Sequence, residues 1–254
     1  MQDNPILITG FPRSGTSWLA DIVLLTKQFQ YMYEPFQPSF ACPQVVELLV
    51  ESLPRPEGST ELRSFYYKVF SDEYRNQFSD QCRIPGGGPR ILVKDVCSNL
   101  HIRFLLSEFP NLKIIHIIRD IESVLGSIKR LSWFEAILRN RSPRNKGATD
   151  YAQVVDQWSY ENTSAIEQGR EFPDRFLIIR YRSMIVGNQM DGLRAIYKFI
   201  QCQYPTISME DLLKPSISTH EGVIKKSNLL KGWKEILTPQ EINTALMVYK
   251  NYQS

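Results

Sequence analysis

The sequence predicts an α/β fold with a mostly parallel central sheet flanked by helices. Short apolar runs rich in branched residues, which are typical of buried strands, alternate along the chain with longer segments of helical periodicity. Strands that alternate with helices form βαβ units, and the strands of such units run parallel. Since 254 residues suit one α/β domain and no repeat or low-complexity linker divides them, we expect a single domain over residues 1–254.

Five segments have the length and composition of buried strands. In chain order they are ILIT (6–9), FQYMYEPF (29–36, ended by its proline), ILVK (91–94), LKIIHII (112–118) and RFLIIRY (175–181). The fourth segment shows little alternation of apolar and polar residues. We therefore expect it to be central and covered on both faces.

The segments between these strands have apolar residues at helical spacing. Helices are predicted over 13–27, 42–53, 61–78, 99–109, 121–131, 151–170, 190–201 and 238–252. Asp120 can cap the helix that begins at Ile121, because an aspartate side chain accepts hydrogen bonds from the first backbone amides of a helix. Residues 131–150 form a polar, basic segment with weak periodicity.

Polar side chains follow each predicted strand, at the point where the strand ends. Ligands of parallel sheets bind beyond the carboxyl ends of the strands, so this edge is where we expect the functional site. The residues that fall there, in strand order, are Arg13, Glu34, Lys94, Arg119 and Tyr181.

Composition excludes several classes of protein. A net charge of +3 and a pI near 8.6 allow local anion sites but are far from the balance of a protein that coats nucleic acid, so no nucleic-acid partner is expected. Four scattered cysteines and three histidines predict free thiols and no metal site. Because the first strand begins at residue 5 or 6, we expect no secretion signal, and no apolar run approaches the roughly 20 residues that span a membrane. We expect a cytoplasmic protein without a membrane span.

The stretch GFPRSGTS (10–17) follows the first strand and leads into a helix. Gly10, Gly15 and Ser17 have the spacing of the Walker A loop G-x-x-x-x-G-K-[ST], which binds phosphate. A turn into a helix points backbone amides and the positive helix end at one spot, and this arrangement suits an anion. Thr16 stands where the motif has lysine, and a basic residue, Arg13, comes earlier.

The missing lysine argues against a nucleoside triphosphatase. In those enzymes the lysine reaches the phosphates, and a strand-end aspartate holds magnesium. Asp95 and Asp120 end strands here, but each directly follows a basic residue, in VKD and IRD. A cation at that position competes with a metal and fits a metal-free anion site better. A P-loop kinase that phosphorylates a small metabolite with ATP remains the alternative.

A second anion site is predicted in IIRDIESVLGSIKR (117–130). Arg119 ends a central strand, and Ser123 and Ser127 are four residues apart on one face of the next helix. Together these side chains make a phosphate-sized site beside the first. Two anion sites and a strand-end tyrosine describe a nucleotide that carries phosphates on both its 3′ and 5′ sides.

With these residues the chain resembles the sulfotransferase family. GFPRSGTSW is similar to that family's 5′-phosphosulfate loop, and IIRDIESVLGSIKR to its 3′-phosphate motif, with the same Arg-to-Ser spacing. LIIRYRSMI resembles the strand that carries an adenine-side tyrosine, and KKSNLLKGWK is a looser relative of a C-terminal basic loop. The EP of YMYEPF looks like the carbohydrate-directed branch rather than the steroid- and phenol-directed one.

The resemblance implies a P-loop fold of the nucleoside-kinase type. It also implies transfer of a sulfuryl group from 3′-phosphoadenosine 5′-phosphosulfate (PAPS), which leaves 3′-phosphoadenosine 5′-phosphate (PAP), with no metal required. Carried over position by position, the residues that bind the donor are Arg13, Ser14, Gly15, Thr16 and Ser17 for the phosphosulfate, Trp18 and Tyr181 for the adenine, and Arg119, Ser127 and Lys226 for the 3′-phosphate.

The same resemblance suggests the catalytic residues. Arg13 and Lys94 would stabilise the negative charge that develops during transfer. The steroid- and phenol-directed branch has a histidine two residues after this lysine, where the present chain has Val96. The carbohydrate- and protein-directed branches often use a glutamate after the second strand, and Glu34 is at that position, so the resemblance implies Glu34 as the general base. Asp95 and His101 are held in reserve, whereas His116 is expected to be a satisfied histidine of the core.

Acceptor specificity is expected in residues 36–90 and 131–150. The second segment, with Arg130 just before it, is rich in arginine and lysine and is either a lid for an anionic or sugar-like acceptor or ordinary solvated surface. The acceptor is left open among carbohydrate, lipid, small metabolite and peptide tyrosine. A homodimer is also left open, as is a non-catalytic nucleotide-binding module on the same fold.

Overall fold

The computed structural model describes residues 4–37, 60–139, 150–186, 189–213, 216 and 232–251. Within these ranges five strands form one sheet in which every neighbouring pair is parallel. The strands are β1 (Ile6–Thr9), β2 (Phe29–Tyr33), β3 (Arg90–Lys94), β4 (Lys113–Ile118) and β5 (Phe176–Arg180). They lie in the order β2-β3-β1-β4-β5, which confirms the predicted α/β fold.

Helices occupy most of the described connections between the strands. They are α1 (Thr16–Leu24), α2 (Thr60–Phe70), α3 (Gln77–Asp80), α4 (Ile102–Glu108), α5 (Ile121–Arg130), α6 (Phe134–Arg139), α7 (Asp150–Gly169), α8 (Tyr181–Val186), α9 (Gln189–Phe199), α10 (Met209–Leu213) and α11 (Pro239–Asn251), with a 3-10 helix at Gly232–Glu235. None of the described helices is long and apolar enough to cross a membrane.

The helix predicted over 61–78 was wrong in its extent, because the chain leaves the helix after Phe70. Asp72 has a left-handed backbone (φ 63°), and its carboxylate accepts two hydrogen bonds from the guanidinium of Arg83. Asn76 then caps α3 by accepting a hydrogen bond from the amide of Phe78 (2.9 Å). The helix predicted over 42–53 lies outside the described residues.

Both faces of the sheet are covered, so alternate residues of the central strands enter different cores. Leu7 of β1 and Val93 of β3 pack in the core that α2 and α4 cover. Ile6 and Ile8 pack in the core on the opposite face, with residues of α1 and α9. The prediction that β4 is central is confirmed, because it lies between β1 and β5 and its four middle residues are buried.

Of two smaller predictions about the region of β4, the helix cap is confirmed. The satisfied core histidine holds for one of its ring nitrogens only, since Nδ1 of His116 has no hydrogen-bond partner within the described residues. The carboxylate of Asp120 caps α5 by accepting a hydrogen bond from the amide of Ser123 (3.1 Å). His116 is fully buried, and its Nε2 donates to Oδ1 of Asn162 (2.9 Å). Burial lowers the pKa of His116 from 6.5 to about 4, although the contact with Asn162 opposes this effect.

The neutral His116 predicts a dependence of stability on pH. Its pKa is lower in the folded chain than in the unfolded chain, so between pH 6.5 and 4 the unfolded chain binds a proton that the folded chain does not. Stability is therefore lost as the pH falls. Between pH 7 and pH 5 this one residue should cost about 2 kcal/mol of the free energy of unfolding.

Urea unfolding of the wild type and of His116→Gln at the two pH values checks this prediction. Glutamine keeps an N–H donor for Asn162 but does not titrate, so the variant should lose about 2 kcal/mol less than the wild type on acidification. Every other titrating group is common to both proteins and cancels in the comparison. An equal loss in both would contradict the argument.

Candidate active site

The strand order arranges the predicted site residues along the carboxyl edge of the sheet. Tyr33 at the end of β2 is in register with Lys94 of β3, and Lys94 is in register with Ile8 of the central β1. The loop of residues 10–17 thus has β3 on one side and β4 on the other. Across the edge the order is Glu34, Lys94, the loop, Arg119 and Tyr181, an order that chain position alone does not give.

The loop after β1 turns sharply before α1. Arg13 and Gly15 both have left-handed backbones, with φ of 71° and 98°, and the amide of Ser14 donates to the carbonyl of Phe11 (3.1 Å). Glycine is required at position 15, since a Cβ there would lie 2.6 Å from a ring carbon of Tyr181. This close approach fixes the loop against the first residue of α8.

The hydroxyl of Ser14 points to the ligand chemistry of the loop. Ser14 is fully buried, and its Oγ has no hydrogen-bond partner within the described part of the protein. Buried hydroxyls are rarely left unpaired, because the unpaired state costs free energy. With the backbone amides at the start of α1, this donor suits an anion held at the turn.

Arg13 joins the two motifs that the sequence presents as separate sites. Its Nε donates to Oγ of Ser127 on α5 (2.9 Å), and its carbonyl accepts a hydrogen bond from the guanidinium of Arg119 (3.3 Å). The loop and the motif of residues 117–130 are therefore one contiguous surface. The sequence predicts a second anion site beside the loop, and in the structure Arg13 of the loop contacts both Ser127 and Arg119 of that second site.

The cations of this surface repel one another. The pKa of Arg13 is lowered first by its burial and then by the charges of Arg119 and Arg130, while Tyr33 and Glu34 act in the opposite direction. Like charges in a half-buried position are unfavourable unless an anion neutralises them. The surface is thus electrostatically suited to a ligand with several negative charges.

Aromatic rings border the same surface. The rings of Trp18 and Tyr181 meet edge to face with centroids 5.5 Å apart, and the guanidinium of Arg119 lies 4.5 Å from the Tyr181 ring. Trp18 Nε1 donates to the carbonyl of Leu212 (3.0 Å). The guanidinium of Arg13 lies 5.2 Å from the ring of Trp133, which is 43% exposed.

Glu34 and Lys94 form a largely buried ion pair at the other end of the edge. Their side chains are 11% and 4% exposed, and the ammonium also lies 4.8 Å from the ring of Tyr33. The backbone amide of Glu34 donates to the carbonyl of Lys94 (2.7 Å). An acid–base group and a cation therefore sit together next to Arg13, whose pKa responds to the charge of Glu34.

The reserve bases do not face the site. The carboxylate of Asp95 is fully buried and accepts hydrogen bonds from the amides of Phe36 (3.0 Å) and Cys97 (2.6 Å) and from the hydroxyl of Ser98 (2.9 Å). Nδ1 of His101 lies 2.7 Å from the hydroxyl of Tyr66 in the core, and burial lowers the pKa of His101 to about 4. Neither group is placed to accept a proton from an acceptor.

Of the aspartates considered as magnesium ligands, Asp95 is engaged through both oxygens and Asp120 through one, while Oδ1 of Asp120 has no hydrogen-bond partner within the described residues. Asp95 binds the three donors just described, and one oxygen of Asp120 caps α5. Among the described residues, no group of three or more His, Cys, Asp or Glu side chains is arranged to hold a metal ion. Cys82, Cys97 and Cys202 are half-buried and form no disulfide within the described part of the chain.

One predicted binding residue and part of one predicted acceptor segment lie outside the described residues, whereas the remaining serine and threonine candidates lie on helices. Lys226 lies outside the described ranges, and so does the segment 140–149, which contains most of the basic run. Ser123 is buried on α5, and Thr16 and Ser17 begin α1.

Comparison with known proteins identifies the family. The sequence profile of the Sulfotransferase family matches residues 5–206, which is most of the chain and includes the loop, Glu34, Lys94, Arg119 and Ser127. The chain belongs to the sulfotransferase family. A comparison with functionally characterised proteins gave no significant match.

Solved sulfotransferases share the fold at low sequence identity. A sulfotransferase domain from the curacin biosynthetic pathway is 16% identical, with a TM-score of 0.56 over 97% of this chain and 98% of that one. The sulfotransferase domain of the Synechococcus PCC 7002 olefin synthase is 18% identical, with a TM-score of 0.54 over 96% and 95%. Mouse sulfotransferase SULT7A1, solved with PAP, is 13% identical, with a TM-score of 0.55 over 99% and 85%.

Sequence reasoning missed two features of this sulfotransferase site. Trp133 follows α5 in a segment without clear periodicity, so nothing in the sequence indicates that its ring lies near Arg13. The hydrogen bond from Phe36, in the turn after β2, to Asp95 was also missed, although the position of Asp95 directly after Lys94 is a signal that could have found it.

The contact between Gly15 and Tyr181 predicts a specific loss of stability. Gly15→Ala should lower the free energy of unfolding by on the order of 2 kcal/mol more than Gly86→Ala. Both glycines have left-handed backbones, but a Cβ at Gly86 meets nothing within 4 Å. Urea unfolding of the two variants isolates the ring contact from the backbone effect, and equal losses would mean that Tyr181 does not constrain the loop.

Proposed function

We propose that this protein transfers a sulfuryl group from PAPS to an acceptor hydroxyl, without a metal ion. The observation that supports this most directly is the contact of Arg13 with Ser127, because it makes the two anion-binding motifs one surface. A single surface of this kind suits one ligand with negative charge at two points. A nucleotide with a 3′-phosphate and a 5′-phosphosulfate is such a ligand.

The described residues fit this donor. Ser14 offers a buried, unpaired hydroxyl at the loop, and Arg13, Arg119 and Arg130 are close enough for their charges to repel. The loop, with Arg13, Ser14, Gly15, Thr16 and Ser17, would hold the phosphosulfate. Arg119 and Ser127 would bind the 3′-phosphate, and Lys226 is proposed to assist them.

The order of residues along the sheet edge suggests which end of PAPS would lie on which side of the loop. Arg119 and Tyr181 lie on the β4 and β5 side of the loop, and Glu34 and Lys94 lie on the β3 and β2 side. The 3′-phosphate and the adenine, between Trp18 and Tyr181, would therefore occupy one side. The sulfuryl group would face the other side, where the ion pair lies.

The donor supplies an electrophilic sulfur with PAP as the leaving group. In the proposed in-line displacement the acceptor oxygen bonds to sulfur as the bond from sulfur to the bridging phosphate oxygen breaks. Arg13 and Lys94 would stabilise the negative charge that develops on the bridging phosphate oxygen of PAP. Lys94 is largely buried, and such stabilisation is strongest in a buried environment. Glu34 would accept the proton of the acceptor hydroxyl.

The acceptor is proposed to be a small molecule, a lipid or a glycan that enters from the segments 36–90 and 131–150. A kinase that uses ATP with magnesium is less compatible with the site, since Thr16 replaces the phosphate-binding lysine and Asp95 is engaged within the fold. A cytoplasmic location, a single domain over residues 1–254 and a homodimer stay predictions.

Donor binding tests the proposal first. Calorimetric titration in EDTA should show tight binding of PAP, whereas ATP with magnesium should bind weakly. Arg119→Ala should weaken PAP at least about tenfold, because a hydrogen bond between a guanidinium and a phosphate is worth more than a neutral one.

Arg194→Ala is the matched control, since this arginine is largely exposed on α9 and pairs only with the neighbouring Asp191 among the ion pairs described. Its affinity for PAP should equal that of the wild type. Binding of ATP with magnesium but not of PAP would contradict the proposal and favour the kinase. Binding of PAP without transfer to any acceptor would favour the non-catalytic module.

Removing the carboxylate of Glu34 should separate catalysis from binding. Glu34→Gln should lower kcat by about 100-fold or more, which is the usual contribution of a general base, while the Kd for PAP changes less than threefold. Transfer of label from ³⁵S-PAPS measures this, with a panel of acceptors comprising N-acetylglucosamine, a tyrosine peptide, a phenol and a long-chain alcohol.

Glu241→Gln is a control for the loss of a Glu–Lys pair as such, because Glu241 pairs with Lys129 at 2.8 Å outside the proposed catalytic residues. It should retain wild-type kcat. If Glu34→Gln also retained it, another group would have to be the base.

A further inference from the structure

The turn that carries Glu34 is held in an unusual conformation. Glu34 has a left-handed backbone with φ of 41°, which is unfavourable for a residue with a side chain. Its amide donates to the carbonyl of Lys94 (2.7 Å), and the amide of Gln37 donates to its carbonyl (3.1 Å). Residues 34–37 thus form a tight turn whose conformation has to be fixed by its surroundings.

Asp95 supplies a contact that fixes it. In a turn of this kind the amide of the third residue points away from the turn's own hydrogen bond, and here the amide of Phe36 donates to Oδ2 of Asp95 (3.0 Å). The other oxygen, Oδ1, accepts from the amide of Cys97 and the hydroxyl of Ser98. One carboxylate therefore ties the turn after β2 to the turn after β3.

The environment of Asp95 suggests that this arrangement serves the site. Asp95 is fully buried, and its burial and the nearby Glu34 carboxylate raise its pKa to about 6. The Glu34 carboxylate raises the free-energy cost of a second ionised carboxylate here, and the three hydrogen bonds that Asp95 accepts offset this cost. Phe36 already anchors the turn through its buried ring, which packs on Tyr66 with centroids 4.5 Å apart.

We propose that Asp95 is a positioning residue, which holds the carboxylate of Glu34 toward the acceptor through the amide of Phe36. This inference rests on the proposed function. The ring of Phe36 fixes where the turn packs, and the hydrogen bond to Asp95 fixes how the peptide between Pro35 and Phe36 is oriented. The direction of the Glu34 side chain follows from that orientation, because the two residues share one turn.

Asp95→Asn tests the proposal with little change in volume. An asparagine has one acceptor oxygen, and that oxygen is best used on the side with two donors, Cys97 and Ser98. Its NH₂ group then faces the amide of Phe36, where two donors meet and the hydrogen bond is lost. With the best acceptor of the ³⁵S-PAPS panel, kcat should fall at least tenfold while the Kd for PAP stays within threefold.

A double-mutant cycle distinguishes positioning from general damage. If Asp95 acts only through Glu34, Glu34→Gln combined with Asp95→Asn should have the same kcat as Glu34→Gln alone. The control is Ser98→Ala, which removes one hydrogen bond from the same carboxylate but leaves the bond to Phe36. It should keep kcat within about threefold of the wild type.

Three results would overturn the role of Asp95: an unchanged kcat in Asp95→Asn, an additive loss in the double variant, or a parallel loss in Ser98→Ala. Faster hydrogen exchange of the Phe36 amide in Asp95→Asn, followed by NMR, is expected whatever the activity, and unchanged exchange would overturn the anchor itself. A folded wild type that transfers no label would instead refute the proposed function, and with it any role of Asp95 in transfer.

Discussion

The hydrogen bond from Arg13 to Ser127 is the contact on which the organisation of the site depends. It connects a loop after β1 with a helix after β4, and the carbonyl of the same arginine accepts a hydrogen bond from Arg119. The contact is possible because β1 and β4 are neighbours in the sheet. The contact also requires the left-handed backbone of Arg13, because this conformation turns the Arg13 side chain toward α5, the helix that follows β4.

The arginines of this arrangement repel one another, and their repulsion indicates that the ligand is an anion. Arg119 and Arg130 lower the pKa of Arg13 in addition to its burial, so the cations destabilise one another. A surface of this kind is electrostatically suited to an anion, since a bound anion would remove the repulsion. Glu34 offsets the charge on the other side of Arg13, and Asp95 holds the turn that brings Glu34 there.

The fold and the position of the strand-end side chains along one edge of the sheet could largely be predicted, because strands, glycines and strand-end charges are local signals. The parallel sheet followed from the alternation of segments, and Arg13, Glu34, Lys94 and Arg119 from their positions after strands. Local signals could not give the break after Phe70, which depends on a contact between Asp72 and Arg83. Nor could they show that Arg13 reaches a serine 114 residues away, since that distance is set by strand order.

The affinity of the wild type for PAP compared with that for 5′-AMP tests the central claim most directly, which is that the two motifs form one site for one nucleotide. The two ligands differ only in the 3′-phosphate, so the ratio of their affinities reports the groups proposed to bind that phosphate, which are Arg119, Ser127 and Lys226. Calorimetry in EDTA should show that PAP binds about 100-fold tighter, as expected for charge-assisted contacts to a phosphate. Equal affinities would contradict the account, because the second motif would then not contact the ligand held by the loop.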